Sequence, residues 1–454
     1  MRPDRAEARG KTPPGPSRWS TLSLLSRMAR DRLEVMTWAS AKYGDAVRLR
    51  LGPKTLNFFN NPEHAKYVLA DNAGNYLKGI GLVHARRALG DGLLTSEGEL
   101  WKTQRKTIQP TFQPRRISKQ AGTIAEEAAA MVDRLRARAD SGPVDVRHEM
   151  TELTLGILGR TLLDADLTEF QSIGESFEHV QDQAIFEMMS LSTVPHWIPL
   201  PGQLRFRQAQ RDLQHVVDTL VAEKAPISAE RDDVVSRLIE ATKSESDPEV
   251  RRTRIRDEMN TLLLAGHETT ASTLSWTFYL LDKHPEVAER VHAEAVEVLG
   301  DRLPTHDDLK KLSYTTMVVQ EVMRLYAPVW IIPRMAREAD TNGGFQVKPG
   351  ADVLICPYTL HRHPDYWDHP TKFDPERFLP ENVAGRPRYA YIPFGAGPRF
   401  CIGNTLGMME AIFVIALIAR ELRFSLDPGY QVVSEPMLTL RVRGQLPMHI
   451  HKRD

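Results

Sequence analysis

Apolar residues recur every three or four positions through most of the chain between Thr21 and Met323, with charged residues filling the intervals. Ile124 to Ala139, Phe206 to Lys224 and Pro285 to Leu299 follow this period, which predicts amphipathic helices there. The strongest run extends from about Arg254 to Asp282, where Ile255, Met259, Leu262, Leu263, Gly266, Thr270, Thr273, Leu274, Thr277, Phe278 and Leu281 keep the helical spacing. Around Leu262 to Ala265 it is apolar on every side, as expected of a central, buried helix. A further helix is predicted over about Asn404 to Arg420. Period-two alternation is rarer. Ala46 to Leu51 and Thr55 to Phe59 alternate and are split by Gly52-Pro53, which predicts a hairpin. A second sheet is expected around Leu438 to Val442 and Pro447 to Ile450. The pattern as a whole predicts a mainly α fold with small β-sheets.

Composition narrows the functions open to such a fold. The 454 residues include 59 basic and 59 acidic ones, so the surface as a whole is not built for nucleic acid or an anionic membrane. Two cysteines, Cys356 and Cys401, are too few for a disulfide scaffold or a four-thiolate zinc site, and any cysteine chemistry must use a single thiol. Met1 to Thr12 is polar and lacks the apolar core of a secretory signal. With the stiff Pro13-Pro14-Gly15-Pro16 that follows, residues 1–15 are expected to be a disordered tail. The longest apolar run, Ala411 to Ala419, falls short of the roughly 20 residues of a membrane-spanning helix. No internal repeat is found.

Two places carry unusual chemistry. Inside the apolar central helix sit Gly266, His267, Glu268, Thr269 and Thr270. A carboxylate and hydroxyls there cost free energy unless paired or functional, or unless Glu268 reaches solvent and the threonines bond back to the preceding turn. The second place is Phe394-Gly-Ala-Gly-Pro-Arg-Phe-Cys-Ile-Gly403, directly before the predicted helix at Asn404. Cys401 thus stands at a helix N-terminus, where backbone N–H groups and the helix dipole stabilise a thiolate. Gly397 and Gly403 permit close backbone approach. Cys356, in Val353-Leu-Ile-Cys-Pro357, has only an apolar strand-like surrounding.

The spacing Phe394-x-x-Gly397-x-Arg399-x-Cys401-x-Gly403 resembles the haem-binding signature of the cytochrome P450 monooxygenases, with every fixed position filled. Other signatures of that family follow in order from Trp101 to Leu440. Trp101-Lys-Thr-Gln-Arg105 resembles the segment whose indole and guanidinium meet a haem propionate, which suits two N–H donors. Arg334 and Arg399 match further propionate-binding arginines, and Lys78 lies in a comparable region. Ala265-Gly266-His267-Glu268-Thr269-Thr270 resembles the oxygen-activation motif, with Glu268 and Thr269 at the catalytic positions. Glu321-Val-Met-Arg324 and Arg377, in Pro375-Glu-Arg-Phe378, match a structural triad. The fold implied is that of cytochrome P450, with haem between the central helix and the helix after Cys401, in one catalytic domain over residues 16–454.

The resemblance implies a haem-thiolate monooxygenase with Cys401 as the axial iron ligand, haem b as cofactor and dioxygen as co-substrate. Gly395-Ala-Gly397 lacks the third glycine and βαβ context of a dinucleotide fingerprint, so no bound flavin or nicotinamide is expected. Nor is a fused reductase expected in the 53 residues after Cys401. Electrons would come from a ferredoxin or flavodoxin with its reductase, docking near Lys102, Arg105, Lys106, Arg115, Arg116, Arg386 and Arg388. Val329, Trp330, Leu438, Ala265, residues 79–94 and residues 186–189 are the substrate-pocket candidates. Their apolar character fits a fatty acid, terpenoid or steroid-like substrate. His267, His361 and His363 are read as structural. The implied protein is a soluble, cytoplasmic monomer with no membrane anchor. The competing readings are a haem-thiolate peroxygenase, dehydratase or isomerase, and a non-catalytic haem sensor.

Overall fold

The computed structural model describes residues 10–17, 20–51, 54–167, 170, 173–190, 193–195 and 197–453. The principal helices are α1 (Gly98–Ile108), α2 (Ala121–Ala137), α3 (Val146–Leu158), α4 (Ile173–Met189), α5 (Pro201–Lys224), α6 (Pro248–Lys283), α7 (Pro285–Leu299), α8 (Ser313–Leu325) and α9 (Asn404–Glu421). The strands are β1 (Ala46–Leu51), β2 (Lys54–Phe59), β3 (Tyr76–Lys78), β4 (Val144–Asp145), β5 (Ile332–Ala336), β6 (Asp340–Asn342), β7 (Phe345–Val347), β8 (Asp352–Ile355), β9 (Leu422–Leu426), β10 (Ser434–Pro436), β11 (Leu440–Val442) and β12 (Pro447–Lys452). Helices dominate, as the 3.6-residue period predicts.

These elements form two compact units. The first takes the chain up to Val83, Met323–Phe373 and Leu379–Cys401. Its sheet has the order β1-β2-β8-β5-β3. The predicted hairpin is present, pairing Ala46 with Phe59 through to Leu51 with Lys54, while its expected turn at Gly52-Pro53 lies outside the described residues. Strand β8 then adds parallel to β2, and all four of its residues are buried. Phe59, Val68, Leu69, Val353, Ile355, Leu360 and Ile392 pack into one apolar core behind this sheet.

The second unit holds His84–Val322, Asp374–Phe378 and Ile402–Asp454. Its axis is α6, 36 residues long and longer than the apolar run alone suggests, because Pro248 at its first turn and the Asp247 side chain on the Glu249 N–H start it earlier. In α9 every residue from Met409 to Ala419 is buried, so the helix is packed all round. Each large aliphatic or aromatic side chain there contributes about 1.5–3 kcal/mol by burial. The C-terminal strands depart from expectation. Leu440–Val442 pairs with Ser434–Pro436, whereas β12 joins β9 and β4, so the two predicted strands lie in separate sheets.

Candidate active site

Within the first unit, the segment before Cys401 folds back on itself. The Cys401 N–H donates to Phe394 O (3.0 Å) and the Phe400 N–H to Gly397 O (3.0 Å). Gly395 and Gly397 have φ of 70° and 65°. At Gly397 a Cβ would stand 1.8 Å from Leu69 O, so no larger residue fits without displacing backbone. The Cys401 thiol is exposed, unusual for a residue type that is mostly buried. Cys356 is its opposite: wholly buried, donating through Sγ to Trp330 O (3.1 Å), with burial pushing its thiol pKa up.

The same unit places Arg334 on β5 directly across from Lys78 on β3, both side chains buried. Like charges opposite one another in a ladder are unfavourable unless other groups balance them. Arg399 ends the short turn after Gly397 and is half-buried. Arg324 is fully buried. Its guanidinium donates to the carbonyls of His361 (2.9 Å), Pro370 (2.7 Å) and Lys372 (2.9 Å). His361 and His363 are packing residues: His361 Nε2 accepts from the Ile392 N–H (2.9 Å), and His363 bonds Asp45 (2.9 Å). Val329 is exposed and Trp330 buried.

In the second unit, Trp101 and Arg105 lie four residues apart on α1, on one helical face, and both are half-buried. On α6, the buried stretch from Thr261 to Phe278 is interrupted at Ala265, which is exposed, and at Gly266 and Thr269, which are half-buried. The helix therefore opens along the line of Ala265 and Thr269. Thr269 Oγ1 bonds back to Ala265 O (3.0 Å), as do Thr273 to Thr269 O (2.9 Å) and Thr277 to Thr273 O (2.8 Å). Gly266 has a packing reason to be glycine, since a Cβ there would lie 2.4 Å from Leu158 Cδ1 on α3.

Glu268 does not reach solvent. Its carboxylate is buried and accepts a hydrogen bond from Thr439 Oγ1 (2.8 Å). His267 is buried against Phe177, its Nδ1 bonded to Leu263 O. Burial lowers the His267 pKa, against the pull of Glu268, which suits a neutral packing residue. Glu321 is buried, accepts from the Asp374 N–H (2.9 Å) and pairs with Arg377 (3.4 Å).

Residues 90–93 are held on α6 by contacts that sequence reading missed. Asp257 and Glu258 accept from the backbone N–H groups of Asp91 (2.7 Å) and Leu93 (3.1 Å). A Cβ on Gly90 or Gly92 would fall within 2.3 Å of Asp257 atoms, and at Gly92 within 2.1 Å of Thr261 Oγ1. Arg87 reaches Glu187 on α4 (2.9 Å). Leu438 is half-buried in the β10–β11 turn. Of the expected basic patch, Lys102 pairs with Glu99 (2.6 Å), Arg116 with Asp232, and Arg386 stacks on Trp367 (3.8 Å). No cluster of His, Cys, Asp and Glu able to hold a metal occurs among the described residues, nor any helix long and apolar enough to cross a membrane.

Comparison with known proteins bears on what this arrangement serves. The chain is 37% identical over 417 residues to cyclooctatin synthase of Streptomyces melanosporofaciens, covering 91% of this chain and 90% of that protein. It is 34% identical over 390 residues to cyclooctat-9-en-7-ol 5-monooxygenase of the same organism, covering 85% and 84%. With pentalenene oxygenase of Streptomyces avermitilis it shares 31% over 430 residues, 94% of either chain. The sequence model of one family matches residues 13–449. The exposed thiol in its glycine-bounded loop and the opening in α6 beside Thr269 are thus features of a chain that belongs to the cytochrome P450 family.

Proposed function

We infer that the protein is a haem-thiolate monooxygenase acting on a terpenoid, with Cys401 holding the iron of haem b. The observation that carries this reading is the exposed Cys401, whose backbone N–H is held by the Phe394 carbonyl, within a family match spanning residues 13–449. The donor chemistry fits the group: one thiol for the metal, and Trp101, Arg105, Arg334 and Arg399 as N–H donors for its two propionates. When bound, a haem with a thiolate ligand supplies dioxygen activation and O–O cleavage.

The chain's own residues do the rest. Gly397 brings the loop backbone against Leu69, so the thiol is presented from a rigid support. Ala265, with its small side chain, leaves the open face of α6 clear. Thr269, on the same face, presents a hydroxyl that already bonds Ala265 O and can turn to move a proton. Glu268, one residue earlier and buried, is the acid that supplies it. The overall balance is substrate C–H plus dioxygen, two electrons and two protons, giving the alcohol and one water. The electrons come from a separate ferredoxin or flavodoxin, for which Lys106 and Arg115 remain exposed on the surface. A peroxygenase or isomerase would not need the Glu268–Thr269 pair for dioxygen activation.

The terpenoid substrate follows from the relatives, two of which are named for oxygenating pentalenene and cyclooctat-9-en-7-ol. The half-buried Leu438 and exposed Val329 are apolar positions consistent with it. The test is a spectral titration of the ferric haem-loaded protein with pentalenene, a long-chain fatty acid and a steroid. A shift with pentalenene at lower concentration than with the other two supports the reading, and a response to fatty acid or steroid alone overturns the substrate class. Cys401→Ser should abolish the thiolate-specific absorption of the reduced carbon monoxide complex, and an unaltered spectrum would remove the ligand assignment.

A further inference from the structure

Beside the Ala265–Thr269 line, α6 carries a polar stripe with no part yet in the proposed chemistry. Glu268, Ser272 and Trp276 are spaced i, i+4 and i+8, so they line one face of the helix. All three bond the same short segment of the β10–β11 hairpin. Thr439 Oγ1 donates to Glu268 (2.8 Å), while Ser272 Oγ (2.6 Å) and Trp276 Nε1 (3.1 Å) both donate to Leu440 O. Two donors occupy the one carbonyl, which fixes the hairpin's register on the helix and with it the place of Thr439.

Arg441 continues the cluster. It is opposite Glu435 in the β10–β11 ladder and bonds it through Nε (3.0 Å). Its side chain is only 11% exposed, and its Nη1 stands 3.9 Å from Glu178 on α4, which is in turn held by Arg147. A buried carboxylate therefore has a hydroxyl donor supplied by a hairpin that is held across its own ladder by Arg441 and Glu435 and clamped to the helix one and two turns further on.

We propose that Thr439 is a positioning residue for Glu268, and that the β10–β11 hairpin sets where that carboxylate rests between proton transfers. Successive helical side chains diverge by about 100°, so Glu268 held by Thr439 lies to one side of Thr269. To serve Thr269 it leaves the hairpin and then returns. The inference rests on the reading of Glu268 as the proton-supplying acid.

The test uses the haem-loaded protein with a surrogate ferredoxin, its reductase and NADPH, and compares Glu268→Gln, Thr439→Val, Thr439→Ser and the Glu268→Gln/Thr439→Val pair. One readout is the share of dioxygen uptake recovered as hydrogen peroxide rather than water. The other, independent of turnover, is the infrared carboxylate stretch of Glu268, assigned from the difference between the resting protein and Glu268→Gln. The band should move in Thr439→Val and return in Thr439→Ser. Water-forming uptake should fall about tenfold to hundredfold in Thr439→Val, the range of a hydrogen bond to a charged group. Thr439→Ser should restore it, and Thr439→Val should add nothing to Glu268→Gln. An unmoved band in Thr439→Val, or an equal effect of that change with and without Glu268, overturns the proposal. If Glu268→Gln leaves the peroxide share unchanged while the band still moves in Thr439→Val, the positioning contact stands and the role of Glu268 as proton source falls.

Discussion

Replacing Arg324 by methionine isolates what one buried guanidinium does for the unit that carries Cys401. The side chain is fully buried, and three carbonyls, those of His361, Pro370 and Lys372, accept from it at 2.7–2.9 Å. It also lies 5.0 Å over the Trp367 ring. Methionine fills most of the volume but leaves those carbonyls without these donors, and each buried acceptor so stranded costs about 1–3 kcal/mol. A water entering the vacated polar space recovers part of that loss. The expected net destabilisation is about 4 kcal/mol, a large part of the roughly 5–15 kcal/mol of a typical fold. Urea unfolding followed by far-ultraviolet circular dichroism is the assay. With a slope of about 3 kcal/mol per molar or more for a chain this long, the midpoint should drop by about 1 M. Arg324→Lys should recover less than half, because an ammonium cannot fork to three separated carbonyls. A midpoint change under about 0.3 M in Arg324→Met would refute the reasoning.

Three further outcomes are expected. Burial, with help from Arg324 and Arg362, holds the His361 pKa down to about 3. Between there and the unfolded value near 6.5 the unfolded chain binds a proton the folded one excludes, so stability falls as pH drops, by about 2 kcal/mol from pH 7 to pH 5. Unfolding curves of His361→Gln at the two pH values should lack that share of the loss. Asp308 is held below the usual carboxylate range by Arg302 and by the Thr305 N–H and hydroxyl. Its contribution is full above about pH 4 and fades as pH falls further, so Asp308→Asn should cost about 1–2 kcal/mol at neutral pH and much less in acid, measured by thermal unfolding. Gly397→Ala forces a Cβ toward Leu69 O, and haem retained after gel filtration should fall sharply. Full retention would show that the loop relaxes at little cost.

What could be read from the sequence were features whose cause is local. The α6 helix announces itself by its period and the hairpin β1–β2 by its alternation. Cys401 stands out because its glycines and the following helix lie within ten residues. Strands β5 and β8 do not, being five and four residues long and held in part by partners far away in sequence; Asn57 on β2 reaches the Asp352 carbonyl on β8 across 295 residues. Glu268 illustrates the same limit. Its placement in an apolar run shows that the carboxylate must be paired or exposed, and the choice is made by Thr439, 171 residues later. The threonines of α6 bond back to their own helix, a local solution legible in advance. The pairing of β12 with β9 and β4 rather than β11 depends on where helices leave room, which no alternation records.

The way residues 90–93 rest on α6 has a consequence for how this scaffold can be diversified. Backbone groups, not side chains, make that attachment: the Asp91 and Leu93 N–H groups meet Asp257 and Glu258, and Gly90 and Gly92 press against the helix. The side chains of Leu93 and Leu94, both half-buried, take no part in those four attachments. They can be exchanged while the main-chain path stays fixed, whereas Gly90, Gly92, Asp257 and Glu258 cannot. A library randomised at 93 and 94 therefore samples new surfaces on one unchanged frame and should keep the parent's folding yield, whereas a library randomised at Gly90, Gly92, Asp257 and Glu258 should lose it.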